Sequence, residues 1–245
     1  MDRMIYIAMT GAKHTLGQQG AVANNIANAT STGFRAEMHK LRAVEVKSEA
    51  LPSRAFVVDA SIATDFTPGP LQATGRLYDV AVEGKGWFSV QLPDGSEAYT
   101  RDGNFELSAN GVLQTRSGLP VIGDGGPVAI PPDNEIVIGR DGTISALEPG
   151  AGGAVNVVAQ LKLVNPPEAD LVRGDDGLFR LRDGGVAPVD EAVKVAGGYL
   201  EGSNVNVVDQ MVQMISLARQ FEMQTRMIQS AQTNDESASR ILSNR

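Results

Sequence analysis

Apolar residues recur through the first 28 positions at alternating steps of four and three: Ile5, Met9, Ala12, Leu16, then Gln19, Ala23 and Ile26. That stepping lines one row of side chains along one side of a helix and predicts a coiled-coil-type seam from about Arg3 to Asn28. Only Gln19 interrupts its apolar character. Gly11, Gly17 and Gly20 fall inside the same segment, each costing about 1 kcal/mol relative to alanine. Such a helix needs a partner. The far end of the chain repeats the pattern with Val207, Met211, Met214, Ala218, Phe221, Thr225 and Ile228. Asn206 is suited to cap this second helix, with Asp209 in its first turn, and no glycine or proline occurs after Gly202. Methionines 211, 214, 223 and 227 at helical spacing read as a pliable packing surface.

The middle of the chain follows a different period. From about Thr67 to Gly198, short β-type runs such as "DVAVEGKGWFSVQL", "NEIVIGRDGTISAL" and "VNVVAQLKLV" are separated by turn dipeptides. These are Asp94-Gly95, Asp102-Gly103, Asn110-Gly111, Asp141-Gly142, Asp176-Gly177 and Asp183-Gly184. Asp/Asn-Gly pairs tolerate a left-handed backbone, and "NFELSANGVLQT" predicts a hairpin with Asn110-Gly111 at its tip. "GDGGP" at 123–127 and "EPGAGGA" at 148–154 read as exposed loops. The expected fold is α+β, with an antiparallel β-rich central domain inserted between N- and C-terminal helices. Those helices pair into one discontinuous, coiled-coil-like helical domain. The expected boundaries are 1–34 for the first helical segment, 35–66 for a connector, 67–198 for the β domain and 199–245 for the second helical segment.

Composition narrows the chemistry. The 42% hydrophobic content supports a real core, while a net charge of −8 opposes binding to a nucleic-acid backbone. Aromatics at 5% argue against a base-stacking platform, and the absence of cysteine removes disulfides and thiolate metal sites. No apolar run is long enough for a signal-peptide core or a membrane span, so membrane insertion is not expected, and any export would proceed without a cleaved signal of the ordinary kind. His14 and His39 sit in no metal-ligand spacing, Gly84-Lys85-Gly86 lies between strands and not before a helix, and "DDG" at 175–177 lacks the alternating oxygens of a calcium loop. No catalytic residue, cofactor or metal is expected. "NNIANATSTGF", residues 24–34, therefore reads as a mechanical joint: asparagines compete for backbone groups at a helix end, Gly33 turns the chain, and Phe34 anchors the exit.

These same residues resemble the N-terminal signature of the flagellar rod, hook and hook-associated axial proteins. "GYLEGSNVNVVDQMVQMISLARQFEMQ" is similar to that family's C-terminal signature, and "DVAVEGKGWFSVQLPDGSEAYTRDGNF" to its β region. "MDRMIYIAMTGA" and "FRAEMHKLRAV", with the short connection after Phe34, resemble the proximal-rod members; "GRLYDVAV" departs slightly, where the family more often has Pro-Leu before the aspartate. The resemblance implies a structural rod subunit that associates with itself and with other proximal and distal rod subunits in the periplasmic part of the basal body. It also implies transit through the flagellar export apparatus. A distal-rod or hook-type protein is the nearest alternative, ahead of a secreted β-rich enzyme or an adhesin. The residues expected at the assembly interface are Ile5, Met9, Ala12, Leu16, Ala23, Asn24, Asn25, Ile26, Asn28, Gly33 and Phe34 at one end. At the other they are Asn204, Val207, Met211, Met214, Ala218, Arg219, Phe221, Glu222 and Ile228.

Overall fold

Helix α1, Asp2–Ala27, and helix α2, Val207–Ser243, occupy the ends of the chain where the apolar periodicity places them. The computed structural model describes residues 2–45, 55–131, 135–147 and 155–243. The chain divides into two units, one of Met1–Ala29, Ala36–Asp65 and Val205–Arg245, the other of Thr30–Arg35 and Phe66–Asn204.

In the first unit α1 and α2 run antiparallel: Asn25 Nδ2 donates to Gln210 Oε1 at 3.2 Å, while Thr15 Oγ1 approaches Gln224 Oε1 at 3.4 Å. Asn206 caps α2 as expected, its Oδ1 accepting from Val208 N at 3.1 Å and Asp209 N at 3.4 Å. The asparagines at the end of α1 hydrogen-bond to backbone groups, as expected of a helix end. Asn28 Nδ2 donates to Asn24 O at 3.0 Å and to Asn24 Oδ1 at 2.8 Å. Asn25, buried, exchanges hydrogen bonds with the Glu37 backbone in both directions, at 2.9 and 2.8 Å. Glu37 opens strand β1, Glu37–Glu45, which pairs antiparallel with β2, Ala55–Thr64. The segment expected to be a connector, 35–66, thus supplies a long hairpin; its residues 46–54, like the loop expected at 148–154, lie outside the described residues.

The second unit is antiparallel β throughout its described strands. A five-stranded sheet is ordered Leu163–Val164, Trp87–Gln91, Glu97–Thr100, Phe179–Leu181, Leu171–Arg173. Because strand side chains alternate between faces, this sheet is buried on both. Phe88, Val90 and Ala98 join the main core with Val80, Val82, Phe105 and Leu113. Trp87 and Tyr99, one residue out of phase, join a second cluster with Phe66, Val164, Leu171, Phe179 and Ala187. Both faces being apolar explains why "WFSV" shows no clean alternation in the sequence. The Tyr99 hydroxyl accepts a hydrogen bond from Ala187 N at 2.7 Å, and burial raises its pKa.

The hairpin predicted around Asn110-Gly111 is present, Phe105–Leu107 pairing with Leu113–Thr115. Only Asp124-Gly125 of "GDGGP" forms the expected exposed turn; its flanks belong to the paired strands Ile122–Gly123 and Gly126–Pro127, and Gly123 is buried. Five glycines of the six Asp/Asn-Gly pairs carry left-handed backbone: Gly95, Gly111, Gly142, Gly177 and Gly184. The Asp residues of these turns spend a carboxylate oxygen on a backbone N–H two residues on, at Ser96, Thr143, Leu178 and Gly185. The side-chain hydroxyl of Ser96 and then its backbone N–H lower the pKa of Asp94, and those of Thr143 in the same order lower that of Asp141; at Asp176 the first cause is its bond with Arg180. Asp102-Gly103 is the exception and corrects the sequence reading. Gly103 is not in the left-handed region; a Cβ there would stand 1.6 Å from Val80 O, so glycine is required for close approach of two backbones.

Candidate assembly surfaces

The face that α1 turns to α2 is one residue out of step with the row read from the sequence. Residues 8, 11, 15, 18, 22 and 25 form it: Ala8, Thr15, Val22 and Asn25 are buried, with Gly11 and Gln18 half-buried between them. On α2 the matching row is Val207, Gln210, Met214, Leu217, Phe221, Gln224, Ile228 and Ala231. Both rows keep the steps of three and four that hold a stripe on one side of a helix. The displacement has a physical cause. A β-carbon on Gly11 would lie 2.7 Å from Gln224 Nε2, so α1 presents small residues where α2 presents large ones.

The interface residues expected from the sequence separate accordingly. On α1, Met9, Leu16 and Ala23 are exposed, Ile5, Ala12, Asn24 and Ile26 are half-buried and Asn25 is buried; Asn28, in the turn after it, is half-buried. On α2, Val207, Met214, Phe221 and Ile228 lie half-buried on the face toward α1, whereas Met211, Ala218, Arg219 and Glu222 face solvent. The exposed set is larger than expected and strongly apolar. Tyr6, Ile7, Met9 and Leu16 on α1 and Val208, Met211, Val212, Ile215, Met223 and Met227 on α2 are all among the exposed large hydrophobic residues. Leu16 is 59% exposed and Val212 63%, while Ala8 and Thr15 are buried at 3% and 2%. Helix α1 therefore buries small and polar residues and displays its large apolar ones, and α2 displays a second apolar row besides the one it packs on α1, so the pair leaves more apolar surface exposed than a self-sufficient helix pair does.

The remaining expected residues, Gly33, Phe34 and Asn204, belong to the second unit and converge on a buried charge cluster that the sequence reading missed. Glu201 accepts from Arg35 Nη2 at 2.7 Å and from Gly69 N at 2.8 Å through Oε1, and from Arg101 Nη1 at 2.9 Å through Oε2. All three charged residues are buried. Arg101 also donates to Gly84 O and lies over the Trp87 ring at 5.3 Å. Burial pulls the Arg101 pKa down to about 10, with Glu201 opposing and Arg35 adding to the shift, which leaves the guanidinium charged at neutral pH. Gly33, at φ +66, donates its N–H to Glu201 O at 2.8 Å, and a Cβ on it would lie 2.4 Å from the Arg101 backbone. Phe34 is covered by the Arg173 guanidinium at 4.5 Å. Asn204 donates to Thr67 O at 3.0 Å and, from its backbone, to Phe34 O at 3.4 Å. Arg35 follows one quoted signature and Glu201 lies inside the other, but no spacing rule links positions 35, 101 and 201. The one available signal is a charged residue set within a motif of otherwise small and apolar residues.

Comparison with known proteins places this arrangement. Residues 81–146 match the family described as flagellar hook protein FlgE/F/G D1 domain, and residues 196–241 match flagellar basal body rod FlgEFG protein C-terminal. A β unit of this type, carried in one chain with paired terminal helices and with both family matches, defines the class of flagellar hook and rod axial proteins. Within it, the chain is 46% identical over 99% of both chains to the flagellar basal-body rod protein FlgF of Escherichia coli strain K12. It is 35% identical over 93% of both chains to FlgF of Caulobacter vibrioides, and 34% identical over 99% of both to FlgG of Agrobacterium fabrum. The chain belongs to the FlgF family of flagellar basal-body rod proteins.

Proposed function

We propose that this chain, a structural subunit of the flagellar basal-body rod by its family, assembles through the outer faces of α1 and α2. Its partners are copies of itself and related proximal and distal rod subunits, and its place is the proximal, periplasmic part of the rod. The observation that carries the reading is the apolar outer surface of the helix pair: Met9 and Leu16 of α1 and Val212, Ile215 and Met223 of α2 stay exposed while α1 buries Ala8, Thr15 and Asn25. Exposed Leu, Ile, Val and Met at helical spacing fit neighbouring helices of the same kind, and the methionines suit contact with more than one related partner. A weakly self-paired α1, with glycines in its length, suits a segment that passes through an export apparatus loosely folded and orders when neighbours cover it. The role is mechanical and not catalytic: the turn carboxylates and the buried charges are engaged in holding backbone.

The chain has no cysteine, so single cysteines can be introduced at Met9, Leu16, Val212 and Met223, with Val22 and Leu217 as inward controls. In isolated basal bodies the outer positions should resist a water-soluble maleimide and cross-link to other axial subunits, while reacting freely in the purified chain. Equal reactivity in both states would refute assembly through these faces.

A further inference from the structure

The chain crosses between its two units after Ala29, Arg35, Asp65 and Asn204. Residues 30–35 are thus a strap: they belong to the β unit but continue at both ends into the other unit. We propose that the Glu201 carboxylate is the latch that holds this strap on the β unit, so that the unit is closed by the two ends of its own sequence.

Three observations carry the proposal. First, Glu201 ties the strap to two further segments of the β unit at once, beside the single bonds from Thr32 Oγ1 to Asp102 Oδ1 at 2.6 Å and from Arg173 Nη1 to Arg35 O at 3.1 Å. Its backbone carbonyl takes Gly33 N at 2.8 Å, and its carboxylate takes Arg35 at 2.7 Å, Gly69 N at 2.8 Å and Arg101 at 2.9 Å. Second, one carboxylate balances two buried guanidiniums. Arg35 is 1% exposed, and its Nε and Nη1 have no hydrogen-bond partner among the described residues, so Glu201 is its anionic partner there. With that charge removed, Arg35 and Arg101 face each other unbalanced in a desolvated site, and the strap hydrates Arg35 by leaving. Third, no strap residue belongs to the main hydrophobic cluster around Val80, Phe88, Phe105 and Leu113. The strap can therefore open while the core stays folded, as a local unit of lower stability. Arg35 and Glu201 are 166 positions apart, so a chain delivered end first closes this latch only after nearly all of the β unit has been delivered.

The experiment uses the purified full-length chain and Glu201→Gln, which keeps the shape and removes the charge. Two readouts report the strap: trypsin cleavage after Arg35, and amide exchange at Gly33 and Asn204. Two report the core: amide exchange at Leu113 and Val121, whose N–H groups bond to Val128 O and Leu113 O. The substitution should speed the strap readouts by roughly 10²-fold or more, the scale for breaking a buried pair, with the core readouts unchanged. Strap and core accelerating together would make the cluster an ordinary part of the core and overturn the latch. So would an unchanged strap, which would mean that its other contacts, Phe34 under Arg173 and the bonds of Thr32 to Asp102 and Arg173 to Arg35 O, hold it without the carboxylate. Should the Gln variant fail to fold, Glu201→Asp, which keeps the charge but draws it back by one methylene, decides by the same readouts.

Discussion

Leu16→Asp separates assembly from folding, because Leu16 is 59% exposed in the single chain whereas Leu217 is 6% exposed on the face between the helices. In the free chain an aspartate at 16 remains in water, so its cost should stay within the ~0.5 kcal/mol usual for surface substitutions. In the assembly proposed above, the same site is covered in the rod. Fully burying a leucine contributes about 1.5–3 kcal/mol, so covering the exposed part of Leu16 contributes roughly 1–2 kcal/mol. A carboxylate forced into that contact costs several kcal/mol more. The difference on incorporation is then about 4 kcal/mol or above, or roughly 10³-fold in the association constant at 1.4 kcal/mol per decade. Leu217→Asp should behave oppositely, costing about 3–5 kcal/mol in the free chain by placing an unpaired charge between α1 and α2. Urea unfolding followed by helical circular dichroism measures the first quantity. Immunoblotting of purified basal bodies, with swimming in soft agar, measures the second. Normal swimming by the Leu16→Asp strain, or early loss of helix in that variant, would refute the assignment of outer and inner faces.

Three further outcomes are expected. Gly103→Ala should cost more than Gly95→Ala in thermal unfolding of the β unit: a Cβ at 103 meets Val80 O at 1.6 Å, whereas the left-handed Gly95 has open space around it and incurs only the backbone penalty of about 1 kcal/mol. Asn206→Ala should lower the stability of α2 by about 1 kcal/mol, read by helical circular dichroism on urea titration, through loss of the cap to Val208 and Asp209. Acid should leave stability level from neutral pH toward pH 4 and reduce it below. Asp94, Asp141 and Asp176 have folded pKa values held under their ordinary 3.8, so their contribution is present above that value and is lost as pH falls through the folded one; unchanged unfolding between pH 4 and pH 2.5 would contradict this.

Much of the architecture was legible because it rests on local rules. The two helices follow from 3–4 periodicity, the α2 cap from Asn206, and the 105–115 hairpin from Asn110-Gly111. What was not legible depends on contacts between positions distant in sequence. Gly103 looked like a turn because its dipeptide is a turn dipeptide, but its necessity comes from Val80, 23 positions earlier by residue number. The Arg35–Glu201–Arg101 cluster joins three segments that share no period and no spacing. Nothing local marks β1 and β2 as a hairpin: their strands carry mixed polar and apolar residues with no turn dipeptide between them.

The displaced seam on α1 follows from the rule used to read it. Choosing the row with the most large apolar residues assumes that a helix hides its most hydrophobic side within its own chain. In α1 that row holds Met9 and Leu16, which are exposed, while Ala8, Thr15 and Val22 are hidden. The rule found the face with the greatest need for burial, and the single chain does not meet that need. On α2 the two rows share Val207, Met214, Phe221 and Ile228, because there large residues point inward to fill the space left by the small ones of α1. Gly11 belongs to that fit, since a side chain there would displace Gln224. Gly20 does not, because nothing lies within 4 Å of its added Cβ in the single chain. Gly20→Ala should therefore stabilise α1 in the free chain by up to about 1 kcal/mol. If the same substitution impairs swimming, the space at Gly20 is taken by a neighbouring subunit in the rod, and that glycine serves assembly rather than the fold.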